Sequence, residues 1–336
     1  MKNTIKNEAG AIRTRPHPNC YICGTKGNVL YKGLKDRLFG SKGEWNLKVC
    51  PDTDCGFVWL DPMPFEEDLS KIYINYYTHQ QSISDRKKNK LLVEMLRWNV
   101  KLVVSFLKRI TLIHRERKRI DIMYLHNTRP GRLLEVGCGA GHLLAKLRSL
   151  GWKTEGQEVD SRAAENARNF YDFPVHLGAL EDLSLPENSF DAIIMNHVVE
   201  HVHDPTALLT ECYRILRPNG RLTVTTPNNN SYGHRYFKSC WCSLDAPRHL
   251  YLFSSNSLRQ TAIISGFKKL RIWTTSARIQ PAAVVSFEIK HNRSYHIDTY
   301  PKLSNDIKAM LFQIWARIMQ IVKLNSGEEC VLIAEK

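Results

Sequence analysis

Long apolar runs are missing from this 336-residue chain. No stretch approaches eighteen uninterrupted apolar residues, so no bilayer-spanning helix is expected. The segment Met1 to Arg15 is polar and lacks the apolar centre of a secretory signal, which predicts a cytoplasmic protein. Internal repeats and low-complexity tracts are absent as well. Acidic residues are scarce: 33 Asp and Glu face 48 Lys and Arg, a net charge of +15. With 43% hydrophobic and 24% charged residues, wholesale disorder is excluded. Nine cysteines, an odd number in a chain with no export signal, speak against a disulfide framework and for metal or thiol chemistry.

The length fits one large domain with a satellite, and four blocks can be separated. Residues 1–78 form a loop-rich cysteine unit. Residues 79–128 form a basic helical connector in which Arg86, Lys87, Lys88, Arg97, Arg115 and Arg119 interleave with Leu92, Met95, Leu96, Val103 and Leu107. Such a helix suits an anionic membrane surface, a nucleic acid or an acidic substrate; a packed helix with a solvated basic face is the plainer reading. From residue 129, short apolar runs alternate with helical patterns, the signature of a parallel α/β sheet. Strands are expected at Leu133–Val136, Lys153–Val159, Pro174–Leu177, Ala192–Asn196, Arg221–Thr226 and Phe267–Thr275, with helices between them. An insertion over 276–326 carries the amphipathic helix Ile307–Val322, whose apolar stripe is read as core, before a last strand at Cys330–Ala334.

The sharpest local signal is Leu133-Leu134-Glu135-Val136-Gly137-Cys138-Gly139-Ala140-Gly141-His142. An apolar strand enters three alternating glycines and a helix follows, so a ligand can approach backbone N–H groups at the strand's carboxyl end. About twenty residues later, Glu158 closes the second strand and can accept both hydroxyls of a ribose. A dinucleotide loop has its third glycine at the sixth position; here that position is His142, which leaves a nucleoside-like ligand without pyrophosphate.

Further on stand Gly178-Ala179-Leu180-Glu181-Asp182-Leu183, Asn196-His197-Val198-Val199-Glu200-His201 and Leu216-Arg217-Pro218-Asn219-Gly220. Taken in order, these segments resemble class I S-adenosylmethionine-dependent methyltransferases, in the small-molecule branch that includes ubiquinone-type and sugar methyltransferases. The resemblance covers residues 132 to about 275 and the closing strand. It implies a doubly wound, Rossmann-like seven-stranded sheet. By position, Glu135, Gly137, Cys138, Gly139 and Gly141 would line the methionine and ribose end, and Glu158 would hold the ribose. Leu180 and Glu181 would flank the adenine, with Asn196 and His197 beside the sulfonium. Cys138 reads more simply as a small apolar residue within the turn. His197-Val198-Val199-Glu200-His201 also spells a zinc-protease pattern, which needs a helix that this position does not offer. A related family sets a divalent metal at this turn with acids and a histidine, but His197 replaces an acid, which counts against a metal here.

Methyl transfer to a hydroxyl needs a base, and histidine is suited; His197 and His201 after the fourth strand are one source of it, and a later segment offers another. The segment Asp245-Ala246-Pro247-Arg248-His249-Leu250 follows the fifth strand on the same rim. His249 is the candidate base or acceptor-orienting group, and Arg248 the candidate clamp for an anionic part of the acceptor. His201 is read as bracing the loop, and Cys240 and Cys242 as packing.

Near the N-terminus, Cys20-Tyr21-Ile22-Cys23-Gly24 faces Cys50-Pro51-Asp52-Thr53-Asp54-Cys55-Gly56. Four thiolates at such spacing predict a structural Zn2+ site, the glycines permitting turns that aim N–H groups at sulfur. A cysteine ribbon, then Asp61-Pro62-Met63-Pro64, then Tyr73, Tyr76 and Tyr77, is similar to the front of many sugar and natural-product methyltransferases. The acceptor expected is therefore a small molecule, an anionic nucleotide-linked sugar suiting the charge. An RNA methyltransferase is the rival; the fourth strand lacks the Asn-Pro-Pro-aromatic ending of base-amine methylation. A non-catalytic zinc-containing binding protein is the third reading.

Overall fold

In the computed structural model, residues 12–73, 107, 109–292 and 303–336 are described. Tyr76, Tyr77 and most of the basic connector lie outside the described residues. The connector's described part holds helix α1 (Ile113–Ile120), with Ile113 and Ile120 buried and the basic residues between them largely outward.

Seven strands form the central sheet: β6 (Arg132–Val136), β7 (Lys153–Glu158), β8 (Val175–Leu177), β9 (Phe190–Asn196), β10 (Leu216–Pro227), β12 (Lys269–Thr275) and β13 (Glu329–Glu335). Their order is β12-β13-β10-β9-β6-β7-β8. All neighbours are parallel except β13, which runs antiparallel to both β10 and β12. The near-continuous apolar runs of β6 and β9 are buried on both faces, as central parallel strands require. The order reverses between β6 and β9, which opens a crevice at their carboxyl ends. Every strand expected from the sequence is present within a few residues. β10 starts earlier than expected because Leu216 pairs with Phe190 before a bulge restores register at Arg221.

Crossover helices start where a side chain caps them. In α3 (Ser161–Tyr171), Asp160 accepts from the N–H groups of Arg162 and Ala163; in α4 (Pro205–Ile215), Asp204 caps Ala207 behind an N-terminal proline. Helix α6 (Ser255–Ile264) opens on a capping box between Ser254 and Ser257. Helices α2 (His142–Ser149) and α5 (Tyr232–Phe237) complete the surround, and the insertion forms α7 (Ile279–Asn292) and α8 (Leu303–Val322). The stripe on α8 divides. Met310 and Ile314 are buried, Ile307 and Met319 half-buried, and Leu311, Trp315, Ile318 and Val322 face outward, so reading the stripe as core holds fully for Met310 and Ile314 alone. No helix among the described residues is long and apolar enough to cross a membrane.

The cysteine unit is fastened to this layer. Strands β1 (Thr14–Arg15) and β5 (Met63–Pro64) pair with each other, while β2 (Asn28–Leu34), β3 (Trp45–Val49) and β4 (Val58–Leu60) form an antiparallel sheet. Its fourth member, β11 (Tyr251–Leu252), comes from the loop beyond β10. Phe57 stacks on Tyr251 at 5.2 Å and meets Phe253 edge-on at 5.1 Å, and one apolar core runs through both parts.

Glu328, just before β13, is buried; its Oε1 accepts from the Gly233 N–H, and Oε2 has no partner. Burial pushes its pKa up to about 7, with Glu329 adding to the rise and the hydrogen bond from Gly233 opposing it. The folded value exceeds the ordinary 4.5. Stability from this group is therefore complete below that value and is lost as pH rises through about 7. The loss is on the order of 3 kcal/mol. Glu328→Gln should flatten that decline in urea-midpoint measurements between pH 5 and pH 8; an unchanged slope would contradict it.

Candidate functional site

At the carboxyl end of β6, Gly137, Gly139 and Gly141 all adopt positive φ, at +66°, +53° and +80°. Two of them are also tight. A methyl group added at Gly137 would lie 2.6 Å from Val198 Cγ2, and one at Gly141 would strike Phe173. At Gly139 the same methyl would meet nothing within 4 Å, so this glycine borders open space.

Two side chains from β7 shape the loop. Gln157 accepts from the Gly137 N–H at 3.1 Å and donates to the Gly178 carbonyl at 2.5 Å. Glu158 accepts from Gly139 N–H at 2.8 Å, Val159 N–H at 2.9 Å and Asp160 N–H at 3.0 Å. Four acceptor directions are available to a carboxylate, so Oε2 retains one for a ligand hydroxyl. Behind the loop, Glu135 is buried and its Oε2 has no partner. Burial, then Glu158, pushes its pKa well up. Such an oxygen suits an incoming ammonium. Orphaned Glu135, open Gly139 and anchored Glu158 therefore fit the amino-acid and ribose parts of an S-adenosylmethionine-like ligand.

Cys138 packs within the turn: a methyl at Gly156 would lie 2.6 Å from its Sγ, and burial raises its thiol pKa. Leu180 is sealed in the main core, so its side chain has no face left for an adenine. Glu181 borders a cleft of about 700 Å³ with Tyr21, Asp204 and Glu211, and burial raises its pKa.

The turn after β9 packs on the glycine loop through Val198. Asn196 Oδ1 accepts from Thr225 Oγ1 and Arg278, both at 2.9 Å. His197 sits at φ +57°, its Nδ1 3.2 Å from Glu200 and its Nε2 2.7 Å from Glu329. Carboxylates only accept, so both ring nitrogens carry hydrogen and neither can take a proton from an acceptor. Burial alone would discharge the ring, but the two carboxylates outweigh it and raise the pKa to about 9. His197 is therefore a structural cation, not a base.

His249 and His201 differ from it. His249 Nδ1 donates to Ser243 O at 2.8 Å, and His201 Nδ1 to Arg248 O at 3.0 Å with the Tyr73 hydroxyl also 3.0 Å away. Their ring centroids are 4.7 Å apart. Burial lowers both pKa values to about 4, so both rings are neutral. His201 braces the loop as expected, and Cys242 packs against the Ala282 carbonyl.

Arg248 is the clear correction. Its side chain and that of Asp36 have no exposure, and its guanidinium grips Asp36 at 2.7 and 2.8 Å as well as Asp245 at 2.9 Å. Phe39 covers it at 4.4 Å. With every face occupied, it cannot clamp a substrate; it ties the cysteine unit to the His249 loop. Asp36, Gln157, Arg278 and Glu329 escaped sequence reasoning. A Glu-Glu pair directly before a buried strand was the one available hint.

The four cysteines converge. Cys20 and Cys55 Sγ are 3.6 Å apart and Cys23 and Cys50 Sγ 3.4 Å, all within 4.8 Å of one another. Edges of a ZnS4 tetrahedron are about 3.8 Å. Backbone N–H groups of Ile22 and Cys23 reach the Cys20 sulfur, and that of Phe57 reaches Cys55. These donors fit zinc.

Residues 108–272 match a family model described as a methyltransferase domain. A probable S-adenosylmethionine-dependent methyltransferase of Mycolicibacterium smegmatis is 29% identical over 119 residues, 34% of this chain and 46% of that protein. A ubiquinone biosynthesis O-methyltransferase of Cereibacter sphaeroides is 35% identical over 104 residues, 30% of this chain and 42% of that protein. The chain thus spans less than half the length of these curated relatives. Among solved structures, a SAM-dependent methyltransferase from Archaeoglobus fulgidus aligns with TM-score 0.45 at 19% identity, over 68% of this chain and 94% of that one.

Proposed function

From the class I S-adenosylmethionine-dependent methyltransferase domain spanning residues 108–272, we propose that this protein methylates a hydroxyl of a small-molecule acceptor. The supporting observation is the pairing of an orphaned Glu135 carboxyl with the Gly139 opening and the anchored Glu158. Glu135 receives the methionine ammonium, the Gly137–Gly141 backbone the carboxylate, and Glu158 the ribose. When bound, the cofactor supplies a sulfonium methyl whose positive charge is lost on transfer. The chain's own task is alignment and exclusion of water. Neutral His201 and His249 offer Nε2 lone pairs on the same rim, and the acceptor hydroxyl is placed there. Tyr73, from the cysteine unit, closes over this corner.

We further propose that the acceptor is a sugar or nucleotide-linked sugar. The cysteine unit followed by Asp61-Pro62-Met63-Pro64 supports this, and so does the net charge of +15. Cys20, Cys23, Cys50 and Cys55 hold Zn2+ in a structural role, consistent with a reducing, cytoplasmic setting. Calorimetry with S-adenosylmethionine and its demethylated product, followed by assay against a nucleotide-sugar panel, tests the reading. Absence of donor binding would reject it. Binding without turnover on any acceptor would favour a non-catalytic binding protein. RNA retention that falls steeply as salt rises would favour the nucleic-acid rival. Cys50→Ser should release the zinc and lower the melting temperature of the whole chain, since β11 couples the two parts; an unshifted melt would overturn that coupling.

A further inference from the structure

Glu200, His201 and His249 place one carboxylate oxygen and two imidazole nitrogens within 4.8 Å of one another. Around a bound first-row ion such atoms stand about 3 Å apart, so closure needs side-chain adjustments of an ångström or two. Their second partners are already set. Nδ1 of His249 donates to Ser243 O and Nδ1 of His201 to Arg248 O, which fixes both tautomers with the lone pair on Nε2. Neither Nε2 has a hydrogen bond among the described residues; Asp245 stands 3.9 Å from that of His249. Glu200 has no exposure and is held by Thr226 Oγ1 at 2.9 Å and His197 Nδ1 at 3.2 Å. Each of its oxygens keeps one acceptor direction.

We propose that Glu200, His201 and His249 form a second metal site, separate from the cysteines, that takes a first-row divalent cation of the Mn2+, Fe2+, Co2+ or Zn2+ class. Two imidazoles and one carboxylate disfavour Mg2+ and Ca2+, which prefer oxygen. The acid missing at position 197 argued against a metal on sequence grounds. The fold supplies the third ligand from His249, 48 positions downstream. Three protein ligands leave coordination positions open, and the turn that carries two of them touches the glycine loop through Val198. An acceptor oxygen bound there would become more acidic. That role rests on the methyltransferase reading; the existence of the site does not.

The test uses the full chain with zinc already loaded on the cysteines, which thiolate preference keeps from taking Mn2+. Mn2+ is titrated in and free Mn2+ followed by electron paramagnetic resonance. Expected are one Mn2+ per chain, nitrogen hyperfine coupling from imidazole on the bound ion, and at least tenfold weaker uptake in His201→Ala and His249→Ala. Absence of uptake by the wild type, or bound Mn2+ without nitrogen coupling, would overturn the proposal. The coupling is read on the wild type, so a variant that fails to fold does not blunt the test. Donor calorimetry is a separate readout: Mn2+ uptake with no donor binding would keep the site and reject the methyltransferase reading.

Discussion

Asp36→Ala should lower the unfolding free energy by about 3–5 kcal/mol, the cost of leaving a buried charge without its partner. Arg248 and Asp36 lie 212 positions apart, and neither side chain reaches solvent. Removing the carboxylate strands a guanidinium under Phe39 with Asp245 as its remaining anion. Replacing the whole cluster, as Asp36→Leu, Arg248→Met and Asp245→Asn, should cost clearly less than Asp36→Ala, because no uncompensated charge remains. Urea unfolding followed by circular dichroism measures both. A loss under about 1 kcal/mol for Asp36→Ala would place the pair among weak surface contacts and remove the proposed fastening of the cysteine unit to the His249 loop.

Glu158→Ala should weaken S-adenosylmethionine binding ~10- to ~100-fold. A hydrogen bond to a charged acceptor contributes about 1.5–3 kcal/mol, and Oε2 keeps one acceptor direction for a ribose hydroxyl. Its loss also frees the N–H groups of Gly139, Val159 and Asp160, so the loop loses its anchor as well as its ligand contact. Glu158→Gln, which keeps one oxygen, should fall between wild type and alanine. Calorimetry gives the affinities, and an unchanged far-ultraviolet spectrum separates lost contact from lost fold. Equal affinity in all three proteins would show that the adenosine end binds elsewhere.

Much of the sheet was legible because its signals are local. The glycine loop compresses strand, turn and helix into ten consecutive residues, and the apolar runs of β6 and β9 announce burial without reference to anything distant. The same holds for the two cysteine pairs, whose spacing states their geometry. Less legible was the short β11. Two residues carry no periodicity, and its partner β4 lies nearly two hundred positions earlier. The stripe on α8 shows a related limit, since periodicity marks an apolar helix face without saying what covers it.

The chain's sequence alone determined the class of sheet, the glycine loop at its carboxyl edge and the two closely spaced cysteine pairs, each being a property of neighbouring residues. Tertiary structure alone decided what the charged and titratable side chains can do. Arg248 reads as a substrate clamp until burial against Asp36 occupies every donor, and His197 as a base until two carboxylates take both nitrogens. His249 becomes a neighbour of Glu200 and His201 only when the loop beyond β10 folds back to pair with β4. The physical reason is that availability of a lone pair or a charge depends on desolvation and on the partners at hand, and both are set by segments that meet only in the folded chain.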